Sequence, residues 1–91
     1  MSAFLSACQN RAELHGLDKN KKYGEVGIYS NPPRAMIIVD DYKLVKTPAI
    51  VAGVEMGKSY RFKVVREGYQ PWEETIVLRE ARENLHVNLK P

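Results

Sequence analysis

Between residues 25 and 90, apolar and polar side chains alternate in short runs, and proline, glycine or paired aspartates interrupt the runs. In one run, Tyr60, Phe62 and Val64 fall on the same side of an extended chain, as in a strand with one buried face. None of the runs has the length or the period of a typical helix. The pattern predicts an all-β fold, a small antiparallel β-sandwich of about six or seven short strands.

Turn residues mark where the predicted strands begin and end. Asp40-Asp41 predicts a tight turn, because aspartate tolerates the left-handed region and can bond its own backbone. Gly68 predicts another reversal, and the glycines between Gly53 and Lys58 indicate a third. The apolar, β-branched run from Ala35 to Asp40 is expected to form a central strand, buried on both sides or nearly so.

The N-terminal residues lack the two-residue alternation. From Ala3 to Leu14 the apolar residues are spaced as in a ragged amphipathic helix, which Gly16 would help to end. The lysine-rich stretch that follows favours a linker or the entry to the first strand. We therefore expect an N-terminal segment over residues 1–23, a short helix or polar tether, and one β-domain over residues 24–91.

Composition excludes several classes of protein. A chain of 91 residues, 44% of them hydrophobic, can bury one modest core. No segment approaches the roughly 20 apolar residues of a membrane-spanning helix. The formal net charge of +3 is small enough to serve solubility alone. The single cysteine excludes an intrachain disulfide framework.

An ordered series of turn and strand landmarks resembles the PEGA domain, a module named after a conserved turn tetrapeptide. The matching tetrapeptide here is Pro32-Pro33-Arg34-Ala35, which keeps only the outer proline and alanine, and Asp41 replaces the glycine usual after the Val-Asp pair. The landmarks on which the resemblance depends are Asn31, Pro32, Ala35, Asp40, Thr47, Pro48, Gly57, Gly68 and Tyr69.

The resemblance implies a small β-sandwich without enzymatic activity, of a kind found in envelope, surface-layer and extracellular proteins, and the family defines no general partner. The residues agree with the absence of catalysis. Ser30, Ser59 and Cys8 lie in no nucleophile motif, and His15 and His86 lack further ligands at the spacing of a metal site. We expect no catalytic residue, no cofactor and no metal.

Leu5-Ser6-Ala7-Cys8 has the form of a lipobox, the tetrad at which a bacterial lipoprotein precursor is cleaved before a lipidated cysteine. The seven residues before Cys8 contain neither a basic region nor a hydrophobic segment long enough for secretion. Three explanations remain open: a start that omits most of a signal peptide, a chance match within a helix, or a native short N-terminus. With Cys8 lipidated in a Gram-negative host, Gln9 differs from the aspartate that retains lipoproteins in the inner membrane. We then expect an outer-membrane anchor, with the domain in the periplasm or at the surface.

Four residues around the Gly68 turn form a candidate binding patch: Lys63, Arg66, Tyr69 and Trp72. Exposed aromatic rings beside cations can stack on a sugar ring or hold a partner loop. In the alternative interpretation, Tyr69 and Trp72 cap one end of the core, because so small a domain needs its tryptophan for burial.

Three hypotheses about function follow. The first is a non-catalytic interaction or spacer module of the bacterial envelope, anchored by lipid at Cys8, whose partner is another envelope protein or a cell-wall glycan. The second is nucleic-acid binding through Lys19, Lys21, Lys22, Arg61 and Lys63, which the interspersed acidic residues disfavour. The third is a subunit of a protein assembly that docks through its N-terminal helix.

Overall fold

The computed structural model of the protein describes residues 10–14 and 18–91, and the only regular elements there are β-strands. The all-β prediction is confirmed, although these residues form eight strands rather than six or seven. None of them belongs to a helix that is long and apolar enough to cross a membrane. The strands are β1 Asn10–Glu13, β2 Tyr23–Asn31, β3 Met36–Val39, β4 Tyr42–Lys46, β5 Ala49–Glu55, β6 Ser59–Val65, β7 Trp72–Val77 and β8 Arg82–Asn88.

The strands form two four-stranded sheets. The first sheet has the order β1-β5-β2-β8, and the second sheet has the order β4-β3-β6-β7. The second sheet is antiparallel throughout, whereas the pairs β1–β5 and β2–β8 of the first sheet are parallel. The prediction of an antiparallel sandwich is therefore wrong for two pairs. Side chains alternate with the same period in both kinds of ladder, so the sequence pattern does not distinguish them.

One core lies between the sheets and takes residues from both. Val26 and Ile28 of β2 are fully buried, and so are Ile37 of β3 and Phe62 and Val64 of β6. The members of each strand occupy alternate positions, as the sequence predicts for β6. Because the two sheets bury their apolar faces against each other, neither face is shielded from water without the other.

The predicted N-terminal helix is wrong where the structure describes it. Asn10–Glu13 form β1, which pairs in parallel with β5 and places Ala12 opposite Val51. The backbone groups along the edge of β5 offer hydrogen bonds to an extended chain, whereas a short helix is marginal in water. Residues 3–9 of the predicted helix and Gly16 lie outside the described residues. The predicted division of the chain after residue 23 stays a prediction.

Left-handed residues form the tight turns, as the sequence predicts. Asp40 and Asp41 have φ values of 48° and 74° and join β3 to β4 in a two-residue hairpin, the geometry of a type I′ turn. Gly68 has a φ of 88° between β6 and β7. The prediction for the segment Gly53 to Lys58 is wrong in its first half, because β5 continues to Glu55.

Gly53 bends β5 without ending it. In the pairing of β5 with β2, Val54 lies opposite Gly24 and Ala52 lies opposite Glu25, so Gly53 is the extra residue of a bulge. Its φ of 74° is a conformation that favours glycine. A glycine at this position is compatible with either a turn or a bulge, so the sequence alone does not distinguish them. Pairing with β2 makes Gly53 a bulge residue.

β3 lies inside the second sheet between β4 and β6, as predicted. It is buried on one side only, which corrects the expectation of burial on both sides. Ile37 and Val39 are buried, whereas Met36 and Ile38 are half-buried. The outer face of this sheet is not covered by another layer of the described chain, so the outward residues of β3 remain within reach of a partner.

Candidate functional site

All strands of the sandwich run between two ends. At one end the odd-numbered strands begin and the even-numbered strands finish. We name it the Asn10 end, after the first residue of β1. We name the other the Asp40 end, after the hairpin between β3 and β4. Besides the strand termini, the Asn10 end comprises loop residues 32–35, 47–48, 66–71 and 89–91.

A buried threonine ties the loops of the Asn10 end together. Thr47 is only 1% exposed. Its Oγ1 accepts a hydrogen bond from the backbone N–H of Ala35 (3.0 Å) and lies 2.5 Å from Ser30 Oγ. Ser30 Oγ donates to the carbonyl oxygen of Pro32 at 2.7 Å, and the N–H of Arg34 donates to the carbonyl oxygen of Thr47 at 3.0 Å. The loop that begins at Pro32 is therefore held to the start of β5.

Two arginines lie in or against this loop. Arg34 stands at the third position of the tetrapeptide with a φ of 65°, in the left-handed region that favours glycine. Arg66 donates a hydrogen bond from Nη1 to the carbonyl oxygen of Pro33. The Asn31–Pro32 and Thr47–Pro48 peptide bonds are both cis. Arg34 and Arg66 line the same depression at the Asn10 end.

A depression of about 760 Å³ adjoins the two arginines on the outer face of the second sheet. Met36 lies between Val65 on β6 and Lys46 on β4 in the sheet register, so apolar and basic side chains are direct neighbours. With three cations and one carboxylate in its lining, the depression favours an anionic ligand. The lining residues are Arg34, Met36, Lys46, Val65, Arg66, Glu67, Gly68 and Tyr69.

The structure divides the predicted binding patch. Arg66 and Tyr69 line the depression at the Asn10 end. Trp72 lies opposite the buried Val64, is half-buried and packs against the core, so it points away from the outer face. Lys63 lies on the outer face in the middle of β6, opposite Glu73. Tyr69 also packs against the core, which agrees with the alternative that the two aromatic residues cap it.

Sequence reasoning missed two cations of the depression, Arg34 and Lys46. The sequence places Arg34 only in the turn tetrapeptide, and nothing in the sequence pattern singles out Lys46. The pairing of Met36 with Lys46, and the bonds of Thr47, bring these two residues together. The available signal is the place of Arg34 in a turn that follows two prolines, since a turn residue presents its side chain at the end of a sheet.

A second depression, of about 450 Å³, lies at the Asp40 end. Its lining combines apolar and aromatic side chains with a few charges. Tyr42, next to the hairpin, is 74% exposed, and β1 contributes its last residue, Glu13. The lining residues are Glu13, Leu14, Val39, Asp40, Tyr42, Lys43, Leu44 and Tyr60.

The cations predicted for nucleic-acid binding do not form one surface. The three lysines of residues 19–22 lie in the loop before β2, at the Asp40 end. Arg61 lies on β6 and pairs with Asp41 (3.6 Å) and Glu73 (3.4 Å). Lys63 lies one outward position further along the same strand. Neutralisation of Arg61 interrupts any basic track between these groups.

Reactive side chains are few in the described ranges, where no group of three or more histidine, cysteine or acidic residues could hold a metal. His86 stacks on Tyr29, with ring centroids 5.1 Å apart. A hydrogen bond to Glu25 raises the pKa of Arg11 and favours its charged form. Cys8 and His15 lie outside the described residues.

The family model of the PEGA domain matches residues 23–91, well over half of the chain. No curated protein sequence matches the chain. The family match spans β2 to β8 and includes Thr47 and every residue that lines the depression at the Asn10 end. The resemblance noted in the tetrapeptide and its neighbours is confirmed. The chain therefore belongs to the PEGA domain family.

Proposed function

We propose that this PEGA domain is a non-catalytic contact and spacer module of the bacterial cell envelope, anchored by lipid at Cys8. The observation that carries the proposal is the pair of depressions at opposite ends of one sandwich. The depression at the Asn10 end has a basic rim, and the depression at the Asp40 end is richer in apolar and aromatic residues. A body with two unlike contact surfaces can hold two partners apart.

Such a spacer must be rigid, and hydrogen bonds among loops and strand ends support this at the Asn10 end. The N–H of Gln70 donates to the carbonyl oxygen of Lys90 at 2.7 Å, which joins the start of β7 to the end of the chain beyond β8. The N–H of Leu89 donates to the carbonyl oxygen of Asn31 at 2.9 Å. Asn10 Nδ2 donates to the carbonyl oxygen of Lys46 at 2.8 Å. The first and third of these bonds join the edges of the two sheets, and the second extends the pairing of β2 with β8 within the first sheet.

The surroundings of the polar side chains support a role without catalysis. Ser30 Oγ is engaged with Pro32 and Thr47, which leaves it poorly placed as a nucleophile. Among the described residues His86 is the one histidine, and its ring stacks on Tyr29. A nucleophile needs a base within hydrogen-bond reach, and the hydrogen bonds of the described residues include no such pair.

The partner surface that we propose is the depression at the Asp40 end. Tyr42 is 74% exposed, and an exposed tyrosine ring can stack on a sugar or pack against a protein while its hydroxyl stays in water. Leu14 and Leu44 extend the apolar part of this surface. We propose that it contacts another envelope protein or a cell-wall glycan.

The contact surface can be tested with a Tyr42→Ala variant. Sedimentation with purified peptidoglycan sacculi measures the glycan arm, and a photo-crosslinking amino acid at position 42 in living cells measures the protein arm. Thr75→Ala, an exposed change in the middle of β7, is the matched control. We expect Tyr42→Ala to abolish sedimentation, or position 42 but not position 75 to crosslink to one protein. Failure of both arms would exclude this contact surface.

The lipid anchor is tested separately. A lipoprotein signal needs a basic and then a hydrophobic segment before the lipobox, so the DNA upstream of the first codon should encode one in frame. In the native host, Cys8→Ala should move the protein from the membrane fraction to the soluble fraction, while Ser6→Ala should not. Several acyl chains on Cys8 would provide a firm anchor, since a single chain binds a membrane only marginally. An unchanged distribution of Cys8→Ala would contradict the anchor.

A further inference from the structure

The formal charge of the chain is distributed unevenly along the sandwich. The charged side chains of the Asn10 end are four cations, Arg34, Lys46, Arg66 and Lys90, and one anion, Glu67. The strand interiors and the Asp40 end carry equal numbers of both signs. At the Asp40 end, strand termini included, the charged residues are Glu13, Asp18, Lys19, Lys21, Lys22, Asp40, Asp41, Glu55, Lys58, Arg79, Glu80 and Arg82. In the strand interiors they are Arg11, Glu25, Lys43, Arg61, Lys63, Glu73, Glu74 and Glu83.

The whole net charge of +3 therefore belongs to the Asn10 end. Its cations are also free of ion pairs with other described residues, because the salt bridges of this part of the chain involve Arg11, Lys21, Arg61 and Arg82. Arg66 bonds a carbonyl oxygen, which leaves its charge uncompensated. An uncompensated cluster on one end of a body attracts an anionic surface facing that end.

The path of the chain brings its N-terminal segment to the same end. Strand β1 begins at Asn10, whose backbone N–H donates to the carbonyl oxygen of Pro48 at 3.2 Å and whose side chain donates to the carbonyl oxygen of Lys46 at 2.8 Å. Two peptide units separate Cys8 from Asn10, a span of at most about 7 Å. An anchor at Cys8 would thus hold Lys46 close to the lipid.

We propose that the Asn10 end is a docking surface for the anionic headgroups of a lipid bilayer, which the cations Arg34, Lys46, Arg66 and Lys90 contact. The inference rests on the proposed anchor at Cys8 for its biological setting. It specifies that the domain lies with this end against the membrane, and that the Asp40 end with Tyr42 points away from it. Strand β1 makes the connection short, so the domain does not swing on a long tether.

A membrane fits this surface better than a nucleic acid or an acidic protein does. Arg34, Arg66 and Lys90 lie in three separate loop or terminal segments and Lys46 ends strand β4, so the cations are spread over one end, which suits a broad surface of independent headgroups. Arg34, Lys46 and Arg66 line one depression with a single aromatic ring, Tyr69, which packs partly against the core. Single-stranded nucleic acids instead stack successive bases on several exposed rings. The half-buried Tyr69 beside Arg66 places an amphipathic ring among the cations, as is common at membrane interfaces.

The first experiment uses the protein without lipid. Co-sedimentation with vesicles is measured at low salt, with phosphatidylcholine alone or mixed with phosphatidylglycerol. The test variant combines Arg34→Gly, Lys46→Gln and Lys90→Gln, and leaves the bond between Arg66 and Pro33 intact. The control variant combines Lys19→Gln, Lys22→Gln and Lys58→Gln at the Asp40 end, and has the same net charge.

We expect wild-type protein to bind only the anionic vesicles, and to do so less as salt rises. The test variant should lose roughly 100-fold in partitioning, since each cation at an anionic membrane contributes roughly fivefold. The control variant should bind nearly as well as the wild type. Equal losses in both variants would overturn the proposal, because net charge rather than the Asn10 end would then govern binding. Binding to oligonucleotides or polyglutamate but not to anionic vesicles would also overturn it.

The second experiment measures orientation and is independent of natural lipidation. Cys8 is the single cysteine, so the protein can be coupled there to a maleimide lipid in vesicles. Acylation of lysines, read by mass spectrometry, should show Lys46 and Lys90 protected on anionic vesicles but not on neutral vesicles, with Lys19 and Lys58 reactive on both. Uniform reactivity would exclude the docked orientation. If protection is seen while Cys8→Ala leaves native fractionation unchanged, the docking surface stands and the proposed anchor fails.

Discussion

The outer faces of the two sheets differ in how they compensate their charges. On the first sheet, Glu25 of β2 accepts hydrogen bonds from Arg11 of β1 at 2.9 Å and from Arg82 of β8 at 3.4 Å. Arg82 also bonds Asn84 at 3.3 Å. This network crosses the sheet from one edge strand to the other, so the charges of the first sheet are largely satisfied by one another.

On the second sheet, Arg61 is the cation of the outer face that pairs with carboxylates. Lys43 and Lys63 flank the half-buried Ile38, and the ion pairs of the described residues do not include them. Lys46 continues this basic surface to the Asn10 end. The charged side chains on the outer face of the first sheet therefore pair largely with one another. The outer face of the second sheet instead leaves cations and apolar side chains accessible to other molecules.

The largest change in unfolding free energy is expected from a substitution in the core. Both sheets contribute to this core, so we expect them to unfold together. Phe62 of β6 is fully buried, and Phe62→Ala should cost about 3–5 kcal/mol of unfolding free energy. Urea unfolding followed by Trp72 fluorescence, a probe in the second sheet, and by circular dichroism should give coincident transitions. Tyr42→Ala, at an exposed site, should change stability by less than about 0.5 kcal/mol. Two separate transitions would show that the sheets unfold independently.

The next effect concerns the loop contacts between the sheets. Thr47→Val keeps the shape of the side chain but removes the hydroxyl that serves Ala35 and Ser30. We expect a loss of about 2–3 kcal/mol, because buried polar groups are left without a partner. The control is Thr75→Val on the exposed part of β7, which should be nearly neutral. Equal stability of the two variants in a denaturant titration would show that the hydrogen bonds of the Thr47 hydroxyl do not stabilise the domain.

A smaller effect, of the opposite sign, is expected at the turn beside the second sheet. Arg34 has a φ of 65°, so Arg34→Gly should relieve backbone strain and stabilise the domain by about 0.5–1 kcal/mol, after the entropy cost of glycine. Arg34→Ala removes the same charge but keeps Cβ, and should give no such gain. If both variants gain similar unfolding free energy, the cause is the lost charge rather than relief of backbone strain, because both variants lower the repulsion between cations at the Asn10 end.

The smallest effect tests the difference between the outer faces directly. Glu25→Gln breaks the ion pairs with Arg11 and Arg82 and should cost about 0.5 kcal/mol, as partly exposed pairs do. Lys63→Gln on the second sheet should cost nothing measurable. The cost of Glu25→Gln should shrink in high salt, because salt screens exposed charges. A cost that is unchanged by salt would point to lost packing instead.

The second sheet was the more predictable one, for a physical reason. Its hairpins join strands that are neighbours in sequence, so Asp40-Asp41 and the alternation around Phe62 contain the information that forms them. The first sheet pairs β2 with β8 and β1 with β5, which are distant in sequence. Side-chain alternation predicts that a segment is a strand but does not predict which strand it pairs with. The same limit led to the error at Asn10–Glu13, where a free edge decided the conformation.

The candidate site was predictable in part. Arg66 and Tyr69 were identified because they flank a glycine turn, whereas Arg34 and Lys46 join them only through the register of β3 with β4 and the bonds of Thr47. Trp72 was assigned to the same patch from its proximity in sequence, but it lies opposite Val64 and packs on the core. The location of the net charge likewise required the topology, because its four cations come from four separate segments of the chain, three outside the strands and one at the end of β4.

Strand β1 has a consequence for how fragments of this protein behave. A fragment that starts at Tyr23, where the family match begins, lacks β1 and leaves the backbone of β5 unpaired beside Ile50 and Val51. An apolar open edge of this kind recruits other chains, and aggregation follows. β1 itself is short and carries Arg11 and Glu13, both features that discourage further pairing. We therefore expect a fragment of residues 10–91 to remain soluble at concentrations where residues 23–91 precipitate.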